Sequence, residues 1–252
     1  MIEVRNLTKG YGDTVVLDDV SLRIPRGGIT SVIGANGAGK STFLSIVGRL
    51  LEPEAGTVTI DGLDTASTPS RELARRVSIL RQDNHLTVRL TVRELVTFGR
   101  FPHSRGRPGP ADHRAIDDAI DYLELGPFAD RHLDELSGGQ RQRAFVAMVL
   151  CQETDYLLLD EPLNNLDLRH AVGMMRLFRR IADDLDRTIL LVVHDINFAS
   201  CHSDRIVAMR DGRLVADGHP KHIIDAPVLR NVFDTHVDVH DLDGDRIGVY
   251  FR

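Results

Sequence analysis

Residues 34 to 41 of the chain read Gly-Ala-Asn-Gly-Ala-Gly-Lys-Ser, the pattern G-x-x-x-x-G-K-S. They lie between a run that predicts a strand, Ser31-Val32-Ile33, and a segment from Lys40 whose apolar residues fall at helical spacing. In that setting glycines let the backbone curl until several N–H groups point inward. Those donors and the positive end of the following helix cradle a polyphosphate. Gly34, Ala35, Asn36, Gly37, Ala38 and Gly39 would line the cradle and Thr42 would continue it. Lys40 would reach the β- and γ-phosphates, and Ser41 would offer its hydroxyl to Mg²⁺. Alone, the motif specifies a nucleotide and nothing more; a glycine-rich turn that binds nothing is the alternative.

Two further segments carry chemistry. Tyr156 to Asp160 is an apolar strand pattern ending in an acid, followed by Glu161 and Pro162. Ligands of open α/β sheets sit at the carboxyl ends of strands. Asp160 is placed to hold Mg²⁺ through water, and Glu161 to act as general base on an attacking water. A strand end and turn before proline is the plain alternative. Residues 136 to 140 read Leu-Ser-Gly-Gly-Gln ahead of a helical segment. Ser137 suits a helix cap, and Gly138 and Gly139 leave backbone N–H groups open beside it, which makes a second anion-binding helix start. A merely capped helix is again the alternative.

The elements that must position these residues can be read in outline. Strands are expected over residues 2–8, 15–24 and 28–34, with Gly27-Gly28 as the break between the last two. A helix from Lys40 is expected to run until Glu52-Pro53, and residues 56–62 form a strand with an Asp61-Gly62 turn. Residues 70–82 predict a short helix and then a strand. From Thr91 to about Leu150 the pattern is mainly helical, interrupted by a Pro-, Gly- and Arg-rich loop at 102–110. The runs 156–160 and 188–195 are apolar throughout rather than alternating, as parallel strands covered on both faces are. Residues 235–252 predict a hairpin turning at Asp243-Gly244. The result is an α/β core with an antiparallel β edge and an inserted helical part.

Bulk composition narrows the classes. At 252 residues the chain can bury a full core, and 42% hydrophobic with 27% charged residues is ordinary for a folded domain. A net charge of -6 gives no sign of a nucleic-acid binder held by bulk positive charge. Cys151 and Cys201 lie far apart in apolar segments, which predicts small reduced core residues rather than a disulfide. No apolar run approaches the ~20 residues that span a bilayer, so membrane association is expected through a partner. The acidic, His-containing tail lacks an EF-hand Glu, since the twelfth position counted from Asp241 is Arg252. The 11 histidines are scattered and form no close H-x-x-x-H pair on one helix, so no zinc site is expected.

In this order and spacing the segments resemble an ABC-transporter ATPase over essentially the whole chain. The resemblance extends to lesser residues. Tyr11 resembles the aromatic that stacks on adenine. Gln82 resembles the glutamine that touches both Mg²⁺ and the membrane-domain interface. Asn164-Asn165-Leu166-Asp167 resembles the loop that crosses to the other subunit, and His194 the histidine that senses the γ-phosphate beside Glu161. Ser137, Gly138, Gly139 and Gln140 match the family signature, which contacts the ATP of the partner subunit. The resemblance implies a P-loop NTPase (RecA-like) core with an antiparallel β subdomain and an inserted α-helical subdomain. Residues 1–252 would be one ATP-binding domain, with the helical part at about 84–150 and the hairpin at 235–252.

It further implies ATP and Mg²⁺ as cofactors and a two-fold dimer that sandwiches two ATP molecules between copies. The other implied partners are integral membrane permease subunits and, indirectly, an extracytoplasmic siderophore-binding protein. No nucleic acid is expected, and the place implied is peripheral, on the cytoplasmic face of the cell membrane. The text Val96 to Gly106, with the stretches around Asp167 and His194, resembles ATPases of iron–siderophore importers. Those belong to a group that also serves haem and vitamin B12, so the same residues leave a haem or vitamin B12 importer as an alternative. The basic segment Arg100 to Arg107 is either a solvated loop or part of a permease contact. A non-transport ABC ATPase fits less well, because residues 42–135 show no sustained heptads. An exporter subunit and a regulator without turnover are the remaining alternatives; the intact Glu161 and His194 speak against the second.

Overall fold

A computed structural model describes residues 1–82 and 88–251. The expected start of the helical part at residue 84, and Arg252 in the tail, therefore lie outside the described residues. The chain divides into two units, Met1–Thr68 with Met175–Arg252, and Pro69–Met174.

In chain order the first unit opens with β1 (Ile2–Tyr11), β2 (Thr14–Ile24), β3 (Gly28–Ile33), α1 (Lys40–Val47), β4 (Ala55–Ile60) and β5 (Leu63–Asp64). The second unit holds α2 (Ser70–Leu73), β6 (Val77–Leu80), α3 (Val92–Phe98), α4 (Phe101–Ser104), α5 (Pro110–Tyr122), α6 (Gly138–Cys151), β7 (Tyr156–Asp160) and the start of α7 (Leu168–Asp184). The first unit resumes within α7 and continues through β8 (Thr188–Val192), α8 (Ile196–His202), β9 (Arg205–Arg210), β10 (Arg213–Gly218), α9 (Pro220–Ile223), α10 (Ala226–Phe233), β11 (Asp238–Leu242) and β12 (Asp245–Val249).

In the first unit, β1 pairs antiparallel with both β2 and β4. The register brings Ile2 opposite Ile24 and Ile60, and Val4 opposite Leu22 and Val58. All six are buried, so the period-two pattern of these strands points one face inward. By contrast β3 pairs parallel with β8 and β9. Residues 29–33 and 188–192 are buried without alternation, which is what a parallel strand covered on both faces requires. The tail forms the expected hairpin, β11 with β12, turning at Asp243-Gly244. It is stitched to α8. Asn197 exchanges two hydrogen bonds with the Gly248 backbone, at 2.8 and 3.2 Å, and Ser200 Oγ donates to Arg246 O at 2.6 Å.

In the second unit β6 and β7 are parallel, with Val77 opposite Tyr156 and Leu80 opposite Leu159. Helix α6 packs on α3 and α5. Arg100 knots this unit from inside. It is 5% exposed, its Nε donates to Asp112 Oδ1 at 2.9 Å, and its Nη1 donates to Cys151 O and Glu153 Oε2 at 2.8 and 2.6 Å. The Gly109 N–H and then Arg100 hold the Asp112 carboxyl below the usual carboxylate range.

Three details depart from expectation. Helix α1 stops at Val47 instead of running to Glu52-Pro53, because the chain turns left-handed at Arg49, φ 56, and Leu50 N donates back to Ser45 O at 2.7 Å. The loop expected at 102–110 begins with a helical turn, α4, in which Pro102 occupies an early position where a missing N–H costs nothing. Cys151 is buried, and burial pushes its thiol up to about 12. Cys201 is exposed on α8 rather than in the core.

Removing one partner of a buried charge leaves the others unpaired. Arg100→Met is therefore expected to lower unfolding free energy by about 3 kcal/mol in urea titrations. A loss under about 1 kcal/mol would show that the ionic knot is not what holds α3 to α6.

Candidate functional site

The first unit supplies the phosphate-loop residues. Strand β3 ends at Ile33 and Gly34 follows at φ 151. A side chain at Gly34 would strike the Met209 carbonyl of β9, so only glycine lets the loop leave the sheet there. Ala35, Asn36 and Gly37 are exposed, whereas Ala38 and Lys40 are buried. Lys40 Nζ folds back over the loop and donates to Gly34 O and Ala35 O, each at 2.9 Å. Its ammonium is thus held inside the curve of residues 34–40. Ser41 and Thr42 continue the first turn of α1, a helix whose cap residue, Gly39, has no side chain to occupy the helix start. Tyr11 ends β1 at the tip of the β1–β2 hairpin, 51% exposed, with Lys9 Nζ 5.6 Å from its ring centroid. His194 is exposed just beyond β8, ahead of Asp195, whose carboxylate caps α8. A cavity of about 260 Å³ adjoins it, lined by His194, Ile196, Phe233, Thr235, Val237 and Tyr250.

The second unit supplies the acids and the signature. Asp160 closes the buried strand β7 and is itself 7% exposed. Glu161 then turns the chain at φ 49, a left-handed conformation for a residue with a side chain. That kink starts the turn in which Asn164 N donates to Glu161 O at 3.1 Å, and the Asn164 amide also donates to the Glu161 carboxylate. Gln82 is exposed beyond β6. Ser137 caps α6 with a reciprocal box: its Oγ accepts from Gln140 N at 3.3 Å while Gln140 Oε1 accepts from Ser137 N at 3.0 Å. Gly138 is exposed and Gly139 buried.

Asp167 precedes α7, and its Oδ1 accepts from His170 N at 2.8 Å and from His170 Nδ1 at 2.7 Å. Those two bonds, the backbone one first, hold its carboxyl below the usual range. Within the first unit, the structure thus gathers residues 34–42 around Lys40. Within the second, it gathers Asp160, Glu161 and Asn164 at one strand end, and Ser137 to Gln140 with Asp167 through His170.

The pattern reading placed Asn164 only in the Asn164–Asp167 loop, without its contact to Glu161, and did not single out His170. Both stand three residues from an acid they contact, and an Asp-x-x-His spacing at a helix start was the available signal for the second. Among the described residues no three His, Cys, Asp or Glu side chains gather in a metal-ligating group. The donors expected at Mg²⁺ are the Ser41 hydroxyl, the Gln82 amide oxygen and the Asp160 carboxylate. Each of these donors is an oxygen, the ligand type that a hard dication prefers. No helix among the described residues is long and apolar enough to cross a membrane.

Comparison with known proteins adds the following. Residues 17–164 match the family model described as ABC transporter. The chain is 51% identical, over 251 residues and all of both chains, to the petrobactin import ATP-binding protein YclP of Bacillus subtilis. It is 51% identical to the petrobactin import ATP-binding protein FatE of Bacillus anthracis, over 95% of this chain and 96% of that one. Among solved structures, the dimeric post-hydrolysis state of the ATP-binding cassette MJ0796 bound to ADP and Pi matches with a TM-score of 0.77 at 30% identity. That match covers 87% of this chain and 99% of the other.

Losing the cap box at α6 tests the signature's local structure. Ser137→Ala is expected to lower stability by about 1 kcal/mol, measured by chemical denaturation. No measurable loss would mean that the helix start does not depend on its cap.

Proposed function

The chain belongs to the ABC transporter family, and from that premise we propose that it couples ATP hydrolysis to the import of an iron–siderophore complex through a separate membrane permease. The observation that carries this reading is the 51% identity, along the full length, to a protein named for petrobactin import. As a member of this family the chain is an ATPase. In the proposed cycle two copies close face to face, each adding its Ser137–Gln140 helix start to a nucleotide held on the other's Lys40 loop. A dimeric relative with ADP and Pi supports this arrangement. The subunit would work peripherally on the cytoplasmic face of the membrane, and an extracytoplasmic binding protein would deliver the chelate to the permease.

The residues divide the work by their chemistry. The exposed Tyr11 ring, held at a hairpin tip, offers a stacking face for adenine. Backbone N–H groups of residues 34–42 and the Lys40 ammonium bind the phosphate oxygens. Ser41 and Gln82 would hold Mg²⁺ directly and Asp160 through water. When bound, the ion neutralises charge on the β- and γ-phosphate oxygens. Glu161 takes the proton of the attacking water, and His194 orients that water toward the γ-phosphate. Asp167 faces the partner copy. Hydrolysis removes contacts that only the γ-phosphate makes across the interface, so the closed dimer loses stability and opens.

Three outcomes are expected. Glu161→Gln keeps ATP binding but slows turnover by roughly 100-fold or more, the scale of a lost general base; normal turnover would overturn the assignment of the base. Lys40→Ala loses about 2 kcal/mol of nucleotide affinity, or roughly 30-fold in Kd, in filter binding. Cells lacking the subunit are expected to lose uptake of radioiron supplied as ferric petrobactin and to regain it on complementation with the wild-type chain but not with Glu161→Gln. Undiminished uptake in the deletion would point to a different cargo.

A further inference from the structure

The Asp167 carboxylate is engaged twice by one residue. Its Oδ1 takes the His170 backbone N–H, as a helix-capping acid does, and also the His170 ring. A ring nitrogen 2.7 Å from a carboxylate oxygen must carry the hydrogen, so His170 is protonated at Nδ1 and its far edge is turned elsewhere. That edge lies on the signature. A Cβ built on Gly139 would come within 2.8 Å of His170 Cγ and 2.9 Å of Nε2, and closer still to Cδ2. The ring therefore fills the volume that any side chain at Gly139 would need. One position earlier, a Cβ on Gly138 would stand 4.0 Å from the carbonyl of Asn165, in the same loop as Asp167. The loop thus meets the helix start at Gly139, with the Asn165 carbonyl near Gly138, and the imidazole is wedged between carboxylate and glycine.

We propose that His170 is a positioning residue that locks the Asp167 loop to the Ser137–Gln140 helix start, so that the two elements one copy presents to its partner's nucleotide act as a single rigid piece. This rests on the functional reading above, in which both elements face the partner. It explains two sequence choices at once. Gly139 must be bare because the ring lies on it, and position 170 must carry a planar donor long enough to span from Oδ1 to the α6 backbone. Alanine removes both the bond and the wedge. Asparagine puts an amide N–H where Nδ1–H stood and so restores the bond alone.

The test uses the full chain in the Glu161→Gln background, where ATP is bound without rapid turnover, and reads ATP-dependent dimerisation by size-exclusion chromatography with light scattering. His170→Ala is expected to raise the ATP concentration for half-dimerisation about tenfold, and His170→Asn less than about threefold. An alanine shift within twofold of the parent, or an asparagine shift equal to the alanine one, overturns the proposal. A Glu161→Gln parent that never dimerises with ATP overturns the functional reading first, so the two failures are distinct. Thermal unfolding supplies a control that needs no nucleotide. Gly139→Ala is expected to lower Tm by about 3 °C more in the otherwise unaltered chain than in the His170→Ala background. Equal losses would show that the ring does not occupy the glycine's space.

Discussion

Backbone N–H groups at the start of a helix have no partner within the helix, and the whole arrangement turns on how two such starts are finished. Helix α1 follows Gly39, which brings no capping side chain, and the loop before it is bent around the Lys40 ammonium. Helix α6 is capped by Ser137 and begins with a Gly-Gly pair, so its first two positions carry no side chain. An anion with several oxygens suits the open N–H groups of such a helix start. The rest of the fold holds these two turns stiff: buried parallel strands β3, β8 and β9 behind one, and the α3–α5–α6 packing with its Arg100 knot behind the other.

Much of this could be read before any coordinates because the informative features are local. A strand, a glycine loop, a lysine and a helix are contiguous in sequence, so their geometry follows from neighbouring residues. The same holds for the strand ending in Asp160, the Ser137 cap box and the Asp243-Gly244 hairpin turn. What escaped is set by residues distant in sequence or by competition at an element's end. Helix α1 ends before the Glu52-Pro53 signal because the chain turns left-handed at Arg49, φ 56, and Leu50 N donates back to Ser45 O at 2.7 Å, a cap that acts before the downstream proline is reached. Arg100 looked like one more charge in a basic loop; only Asp112, Glu153 and the Cys151 carbonyl, brought in from elsewhere, make it interior. Nothing in the sequence around His170 marks its contact with Gly139, which is more than a helix away along the chain.

The tail hairpin braces the helix that follows His194. Asn197 and Ser200 hold β12 from successive turns of α8, the helix that begins directly after His194 and Asp195. Tyr250, beyond the last strand, shares a cavity wall with His194. The backbone on either side of that histidine is therefore braced, by strand β8 before it and by the hairpin through α8 after it.

The contrast between the two cysteines has a practical consequence. Cys151 is enclosed and its thiol is held in the unreactive protonated form, while Cys201 stands exposed on α8. Burial and the nearby Asp245 raise the Cys201 thiol too, so a maleimide dye would couple best in mildly alkaline buffer. The native chain thus offers a single labelling handle, and it sits on the helix led by His194. Fluorescence from that dye would follow the movements of this helix in solution without any engineered cysteine.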